Sequence, residues 1–559
     1  MHRILWVDDE IELLEPHVQI LRSRGYHVET ATSGEDALAL VEQKQFDLVF
    51  LDEMMLGMSG LETLQLLKRL DPYRPVVMVT KNEQESLMDE AIGRSIDDYL
   101  TKPISPSQVL AVCKKYLDAR LLQQQRVTRE YLRDFAQLEA SIAQAERWEE
   151  WVEIYRGLVQ WSLELDVHPD VGLDQTLAEQ WRQANRLFAR FIEGNYPRWL
   201  TDRPKEGNPL VSPHIADRFV LPLLRQQRRV VFVVVDCLRL DQWMVIESLV
   251  RQYYTTELHH YCSILPTATI YARNALFAGL FPADIERYYP QWAPEEGESE
   301  TSQNAHEPDL LQELLRRRGI QLQGKFEYIK IYETEFGKRI ESDAQRLVQN
   351  ALTAIVVSAL DMMAHSRSDT AILKEIAPDE AAYRSLTYSW FQHSSLWGIL
   401  RALASHDVTV VLTTDHGAVR CLRAAQVVGD RQTSTCLRYK IGRNVRADAK
   451  STITITELER YRLPRHSPVE NLVLAKEDYY LVYPTDFHHY AAKYRDSFQH
   501  GGISLEEMIL PIVILSRLSS WSVSKPLMPS IISSRNTRSN CFCSTSARAS
   551  SPLVAVSTW

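Results

Sequence analysis

The sequence predicts an α/β protein with two sheet-bearing units joined by a helical segment. Three observations carry this. Residues 1–118 alternate short apolar strand-like runs with amphipathic helix-like stretches. Residues 119–200 shift to Leu, Gln, Arg, Glu, Ala and Trp at helical spacing with little glycine. Residues 201–518 return to apolar runs that end in acidic residues. Strands alternating with helices imply a parallel, doubly wound sheet whose functional side chains sit at the strand C-termini.

The elements follow in order. "RILWVDD" precedes a helical stretch from Ile11 to Arg24, and "DLVFLD" precedes another from Leu61 to Leu70. "PVVMVT" precedes one around Gln84–Ser95, and "DDYLTKP" leads into a last helical stretch to Leu117, so about five strands are expected. Asp118–Tyr196 reads as a helical bundle or stalk. After a loop at Thr201–Pro209, "RRVVFVVVD" opens the second α/β unit, which continues through "TAIVVSALD", "DVTVVLTTDHG" and "MILPIVIL". Pro294–Asp309 is expected to be a polar insertion loop and Thr435–Ser451 a mobile basic connection. Residues 519–559 are rich in Ser and Arg without apolar periodicity and read as a disordered or aberrant tail.

Composition sets the class. A chain of 559 residues exceeds one ordinary core, and 45% apolar with 24% charged residues is the make-up of a globular protein. The balance of 63 basic against 73 acidic residues, net −10, argues against a general nucleic-acid binder. Seven scattered cysteines with no C-x-x-C pair read as thiols in a reducing compartment. The N-terminus lacks a signal-peptide core, and the longest apolar runs fall short of the roughly 20 residues a membrane span needs. A cytoplasmic protein with no membrane partner is expected.

Each strand end in residues 1–118 carries a distinctive side chain. Asp8 and Asp9 end the first strand, Asp52 the third, Thr80 the fourth and Lys102 the fifth, just before Pro103. Three carboxylates at one sheet edge repel one another unless a cation intervenes, and oxygen ligands suit Mg²⁺. A metal-bound carboxylate facing a lysine and a hydroxyl is equipped to accept a phosphoryl group. The motifs "VDDE", "LDEMMLGMSG", "VTKN" and "YLTKP" make this stretch resemble the receiver domain of two-component response regulators, which has a flavodoxin-like fold. The resemblance implies Asp52 as phosphoacceptor, and Asp8, Asp9, Asp52 and the backbone of Met54 as magnesium ligands. It also implies Thr80 and Tyr99 as the switch pair, Lys102 as the phosphoryl contact, and a cis Lys102–Pro103 bond. Leu56 stands where receivers usually carry proline, and Lys81 where a small residue is common.

A second constellation spans residues 201–518. Asp236 ends "VVFVVVD", Asp361 and His365 form D-x-x-x-H, Asp415 and His416 end "VTVVLTTDHG", and His500 precedes two glycines. On a helix, Asp361 and His365 share a face. Three Asp and three His make two N/O ligand sets with open positions, as catalytic zinc sites have. Two such metals form the clamp used in phosphoryl transfer, and a threonine hydroxyl between them becomes a usable nucleophile. His488 and His489 compete as ligands but lack the following glycine.

The order Asp, Thr, Asp-x-x-x-His, Asp-His, His resembles the alkaline phosphatase superfamily, closest to PglZ domains and the phosphodiesterase branch. That family's nucleophile stands a fixed interval before a G-L-x-P turn, and Thr269, ten residues ahead of Gly279, matches where Thr267 does not. The resemblance implies one zinc on Asp361, His365 and His500 and another on Asp236, Asp415 and His416, with Thr269 between them; Mn²⁺ fits the same ligands. It implies in-line displacement through a phosphothreonine intermediate. Arg273 and Asn274 are candidates for substrate contact or for a structural role.

Receiver, helical connector and PglZ domain together resemble the PorX-like response regulators of type IX secretion. That resemblance implies a cognate sensor histidine kinase, a homodimer on phosphorylation, a sigma-factor-type partner, and phosphodiesterase action on a nucleotide or oligonucleotide. No helix-turn-helix pattern is present in the sequence, so sequence-specific DNA binding is not expected. The other reading is a non-enzymatic signalling protein whose metal-bound domain docks that transcription partner.

Overall fold

The computed structural model describes residues 2–71, 74–81, 96–293, 304–429, 434 and 436–518. The expected helix around Gln84–Ser95 and the tail 519–559 lie outside the described residues. Strands β1 (Arg3–Val7), β2 (His27–Ala31), β3 (Leu48–Asp52), β4 (Val76–Thr80) and β5 (Asp98–Thr101) form a parallel sheet in the order β2-β1-β3-β4-β5. Apolar side chains alternate to two faces: Ile4, Trp6, Phe50 and Val77 pack on one, Leu5, Val7, Leu51 and Met78 on the other. Helices cover both faces, which is why these strands read as continuous apolar runs. The Lys102–Pro103 bond is cis, as expected.

Three long helices, Ala119–Gln144, Trp148–Val167 and Val171–Asn195, form the connector. Their buried aromatic side chains do more than join two units. One core cluster contains Trp151, Tyr155, Phe188 and Ile192 of the connector together with Ile264, Leu265, Ile270 and Tyr271 of the C-terminal unit. The Tyr196 hydroxyl lies in this junction and accepts the Leu265 N–H at 2.7 Å. The helical layer therefore packs directly on the segment that carries Thr269.

The C-terminal unit is built on a six-stranded sheet of β6 (Val230–Val235), β7 (Tyr254–Cys262), β8 (Phe326–Ile331), β9 (Leu352–Val357), β10 (Thr409–Thr413) and β11 (Ile509–Arg517). Its order is β7-β11-β10-β6-β9-β8. The four strands β10, β6, β9 and β8 are parallel, and β11 runs antiparallel to both its neighbours. Between β10 and β11 the chain makes small sheets, one of which pairs Tyr439–Arg443 and Thr452–Ile455 with Glu470–Ala475. The expected mobile connection at Thr435–Ser451 is thus corrected: Tyr439, Lys440 and Ile441 are buried strand residues. The expected loop Pro294–Asp309 is corrected at its end, where Glu307 begins the helix Glu307–Arg317 with a buried carboxylate; residues 294–303 lie outside the described residues. No helix among the described residues is long and apolar enough to cross a membrane.

Candidate functional sites

In the N-terminal sheet, β1 and β3 are neighbours, so Asp8, Asp9 and Asp52 meet at one edge with carboxylate oxygens within 4.8 Å of one another. Lys102 reaches between them, its Nζ 2.9 Å from Asp8 Oδ2 and 3.0 Å from Asp52 Oδ1. Burial pushes the Asp52 carboxyl up, the Lys102 ammonium opposes it, and Asp8 adds to the rise. Burial alone would lower Lys102, but its bonds to Asp8 and Asp52 hold it above the ordinary lysine value. Two buried carboxylates bonded to one lysine still lack charge, which fits a Mg²⁺ held by Asp8, Asp9 and Asp52. Thr80 is buried beside them, whereas Tyr99 and the Met54 and Leu56 side chains face outward. Gly60 is required here: a Cβ would lie 2.1 Å from the Asp52 carbonyl oxygen.

The second site forms where β10, β6 and β9 end side by side. Asp236 follows β6, Asp415 and His416 follow β10, and the helix Ala359–Asp369 after β9 presents Asp361 and His365 one turn apart. His500 arrives from the short strand Ser497–Gln499, which pairs with Val419–Cys421. Asp236, Asp415 and His416 form one cluster with ligand atoms within 4.8 Å, and Asp361, His416 and His500 form another. His416 Nε2 stands 3.5 Å from Asp236 Oδ1 and 3.8 Å from Asp415 Oδ2. His365 Nε2 completes the second cluster, 3.2 Å from His500 Nε2 and 3.5 Å from Asp361 Oδ1. The six expected ligands therefore converge, with His416 at the junction. His488 and His489 sit on the exposed helix Phe487–Tyr494 and take no part.

Hydrogen bonding orients the imidazoles. His416 Nδ1 faces the Gly417 carbonyl at 3.2 Å and His500 Nδ1 faces the Thr267 carbonyl at 3.3 Å. A carbonyl only accepts, so each Nδ1 carries the proton and each Nε2 lone pair points inward. Burial, first of all, pushes His416 down to about 4, and burial with the neighbouring His416 and His365 pushes His500 well below its ordinary value. Both rings are neutral, the form that binds a metal.

The carboxylates tell the same story. Burial would raise both Asp236 and Asp415, but the Arg273 guanidinium holds Asp236 low, while burial and Asp236 push Asp415 well up. Asp236 Oδ1 and Asp415 Oδ2 are buried without a hydrogen-bond partner. Orphaned carboxylate oxygens beside a neutral imidazole fit a divalent cation in the Asp236–Asp415–His416 set.

Thr269 opens the helix Thr269–Ala278, and its Oγ1 lies 2.9 Å from His416 Nε2. The capping residue Ala268 supplies no side-chain acceptor, so the helix N-terminus presents its positive end where the hydroxyl stands. Gly279 ends the same helix in the left-handed region, φ 58°. Thr267 holds a second loop. Its hydroxyl donates to the Gly502 carbonyl at 2.9 Å and accepts the Gly501 N–H at 3.1 Å, fastening the turn after His500.

Arg273 and Asn274, candidates for substrate contact or for a structural role, are both buried. Arg273 is fully buried in ion pairs with Asp236 and Glu307, and Asn274 is buried with its amide donating to the Ile270 carbonyl at 2.9 Å. Several supporting residues escape sequence reasoning. Thr414 donates to the His416 carbonyl at 2.8 Å, Ser263 to the Asp415 carbonyl at 2.7 Å, and Arg438 pairs with Glu507 at 2.6 Å. Only the threonine pair in "TTDHG" hinted at such a role; the others lie far along the chain from the ligands they hold.

A carboxylate triad with a lysine at one sheet edge, and an alkaline-phosphatase-like ligand set at another, define a response regulator with a phosphatase-like output unit. Family profiles agree: the response regulator receiver domain matches residues 4–114, the PorX response regulator linker domain 121–200, and the BREX system PglZ alkaline phosphatase-like domain 215–515. The chain belongs to the PglZ family, in the architecture of PorX-like response regulators.

Relatives cover the receiver. The alginate biosynthesis transcriptional regulatory protein AlgB of Pseudomonas aeruginosa is 38% identical over 120 residues, 22% of this chain and 27% of its own length. The alkaline phosphatase synthesis transcriptional regulatory protein PhoP of Bacillus subtilis is 37% identical over 117 residues, 21% of this chain and 48% of its own. The chain thus spans from about a quarter to half the length of these two curated relatives. The structure of Vibrio cholerae chemotaxis protein CheY4 is 28% identical, covering 21% of this chain and 99% of that one at a TM-score of 0.20.

Proposed function

We propose that this response regulator takes a phosphoryl group on Asp52 and hydrolyses nucleotide-type phosphodiesters through Thr269 in its C-terminal unit, in the control of type IX secretion. The observation that carries the hydrolase reading is the placement of Thr269 Oγ1 2.9 Å from His416 Nε2, the ligand common to both clusters. A domain that had lost activity would be expected to have lost ligands, and here all six converge.

Asp361, His365 and His500 would hold one divalent cation, zinc by its ligand types, and Asp236, Asp415 and His416 the other. When bound, the cations supply charge to the phosphoryl oxygens and acidify the threonine hydroxyl. Thr269 Oγ forms the bond to phosphorus while the bond to the leaving alcohol breaks, and the alcohol departs with a proton. Water then displaces Thr269 Oγ and restores the hydroxyl. The Thr269–Ala278 helix aims its positive end at the anion, and the site's side chains Asp236, Thr269, Asp415 and His416 are buried. His365, whose side chain is 47% exposed, marks the open side where substrate enters.

On the receiver side, Asp52 attacks the phosphohistidine of a sensor histidine kinase, the O–P bond forming as the P–N bond breaks, with Lys102 balancing the charge, Asp8, Asp9 and Asp52 the residues that would hold Mg²⁺, and Thr80 and Tyr99 reporting the change. Phosphorylation pairs two copies of the chain, and a sigma-factor-type partner carries the output. The test is metal content and turnover of the purified chain on a chromogenic phosphodiester and the matching monoester, with and without added zinc. Two cations per chain and faster diester turnover are expected. No bound metal and no turnover of either ester refutes the hydrolase reading.

A further inference from the structure

Arg273 lies one helical turn after Thr269, on the same face of the Thr269–Ala278 helix, and none of it reaches the surface. Its guanidinium is divided. Nη1 donates to Asp236 Oδ2 and stands 3.7 Å from Asp415 Oδ2, while Nε donates to Glu307 Oε1 at 2.6 Å. Glu307 is equally buried and is itself held, accepting the Tyr328 hydroxyl on Oε2 with Lys330 Nζ 3.7 Å away. Tyr328 and Lys330 belong to β8, next to β9 in the sheet. The chain Tyr328–Glu307–Arg273–Asp236 thus runs from the sheet to a metal ligand along the wall of the site.

We infer that Arg273, locked by Glu307, is a positioning residue for the Asp236–Asp415–His416 metal site and not a substrate contact. The inference rests on the two-metal reading above. Arg273 occupies Asp236 Oδ2, so the carboxylate can turn only Oδ1 toward Asp415 and His416, and that oxygen has no hydrogen bond. Because Thr269 and Arg273 share a helix, the same ion pair sets the nucleophile's height over the strand end that bears Asp236. A guanidinium already shared with Glu307 cannot neutralise Asp236 and Asp415 together, which leaves that charge to a divalent cation.

The test is calorimetric titration of chelator-stripped full-length chain with Zn²⁺, comparing the parent with Glu307→Gln and Arg273→Lys. Both variants should weaken one of the two zinc ions on the order of 10- to 100-fold and leave the other at its parental affinity. An Asp361→Ala variant, which removes the unaffected site, identifies which ion is which. In diester turnover, kcat should fall while KM stays at the parental value. Parental affinity for both ions in a folded Glu307→Gln chain overturns the inference, as does equal weakening of both ions or a raised KM with metal content intact. Should Arg273→Lys fail to fold, Glu307→Gln and the milder Tyr328→Phe carry the test, with melting temperature as the folding check. A parent that binds two zinc ions without hydrolysing a diester sinks the proposed activity and leaves this inference standing. An active parent whose Glu307→Gln variant keeps both ions does the reverse.

Discussion

The chain carries two carboxylate clusters at the C-terminal edges of parallel strands, and they solve different problems. In the receiver, the proposed nucleophile is Asp52, a carboxylate, and Asp8, Asp9 and Lys102 surround it. That site lies under the surface, with Asp9 only half-buried and Tyr99 exposed beside it. In the C-terminal unit the proposed nucleophile is a hydroxyl, and the surroundings are correspondingly heavier: six converging candidate ligands, two of them imidazoles whose pKa burial lowers, and an arginine locked behind Asp236. A hydroxyl needs more concentrated positive charge and a drier setting than a carboxylate does, because charge acts more strongly where water is excluded. The depth of each site follows from the group it activates.

The sharpest way to break this comparison is to cross the two acids. Asp236→Asn should remove one cation and reduce diester turnover by about 10³-fold or more, with uptake of phosphate by Asp52 unchanged. Asp52→Asn should abolish phosphorylation by a small-molecule phosphodonor and leave both zinc affinities intact. Metal analysis beside a phosphoprotein gel reads both, and loss of both activities in either variant denies that the sites are chemically separate.

A glycine pair gives the next largest effect. A Cβ at Gly60 would meet the Asp52 carbonyl oxygen at 2.1 Å, and one at Gly417 would meet the Glu506 carbonyl oxygen at 2.0 Å. Each alanine substitution should cost roughly 1–3 kcal/mol in its own unit's melting and impair only that unit's chemistry. Thermal melts with phosphorylation and turnover assays decide it.

Acid should separate the units further. Burial pushes His260 and His416 down to about 4 and also lowers His214 and His500, and all four belong to the C-terminal unit. Between pH 6.5 and about 4 the unfolded chain binds protons at these positions that the folded chain does not, so stability falls as pH falls through that window. Glu506, pushed up to about 7 by burial, and Asp415 act in the opposite sense, so in chelator-treated protein the C-terminal melting transition should fall modestly from pH 6.5 toward 4, four imidazoles outweighing two carboxyls. A transition insensitive to pH there contradicts the burial of these rings.

The smallest effect tests the junction. Asn185 of the connector accepts the Leu505 N–H at 2.7 Å and donates to Glu506 at 3.1 Å, beside the Gly417 loop. Asn185→Ala should cost about 1–2 kcal/mol and lower turnover a few-fold without moving zinc affinity.

Much of this was legible in the chain. Asp8, Asp52, Thr80 and Lys102 each end an apolar run, and the parallel fold brings strand ends together, so pattern implied proximity. Asp236, Asp361 and Asp415–His416 were legible on the same ground. His500 was harder, since it arrives from a short strand outside the main sheet, and only its glycine pair marked it. Arg273 was visible but its role was not: its neighbour Thr269 allowed a substrate contact as well as a structural role, and its partner Glu307 comes from a stretch that read as a polar loop. Ser263, Asn185 and Glu507 act through contacts across long sequence intervals, and no local pattern signals such pairs. Tyr439–Arg443 was misjudged because its basic residues masked a buried strand, Lys440 donating inward to the Ser434 carbonyl at 2.8 Å.

One measurement bears most directly on the role of Thr269. Zinc content and diester turnover should be determined side by side for the parent, Thr269→Ala and Thr267→Ala. Thr269→Ala should retain both zinc ions and lose turnover by about 10³-fold or more, whereas Thr267→Ala, which releases the turn after His500, should weaken a metal and lose turnover with it. Parental turnover in Thr269→Ala with both metals bound would contradict the assignment of Thr269 as the nucleophile.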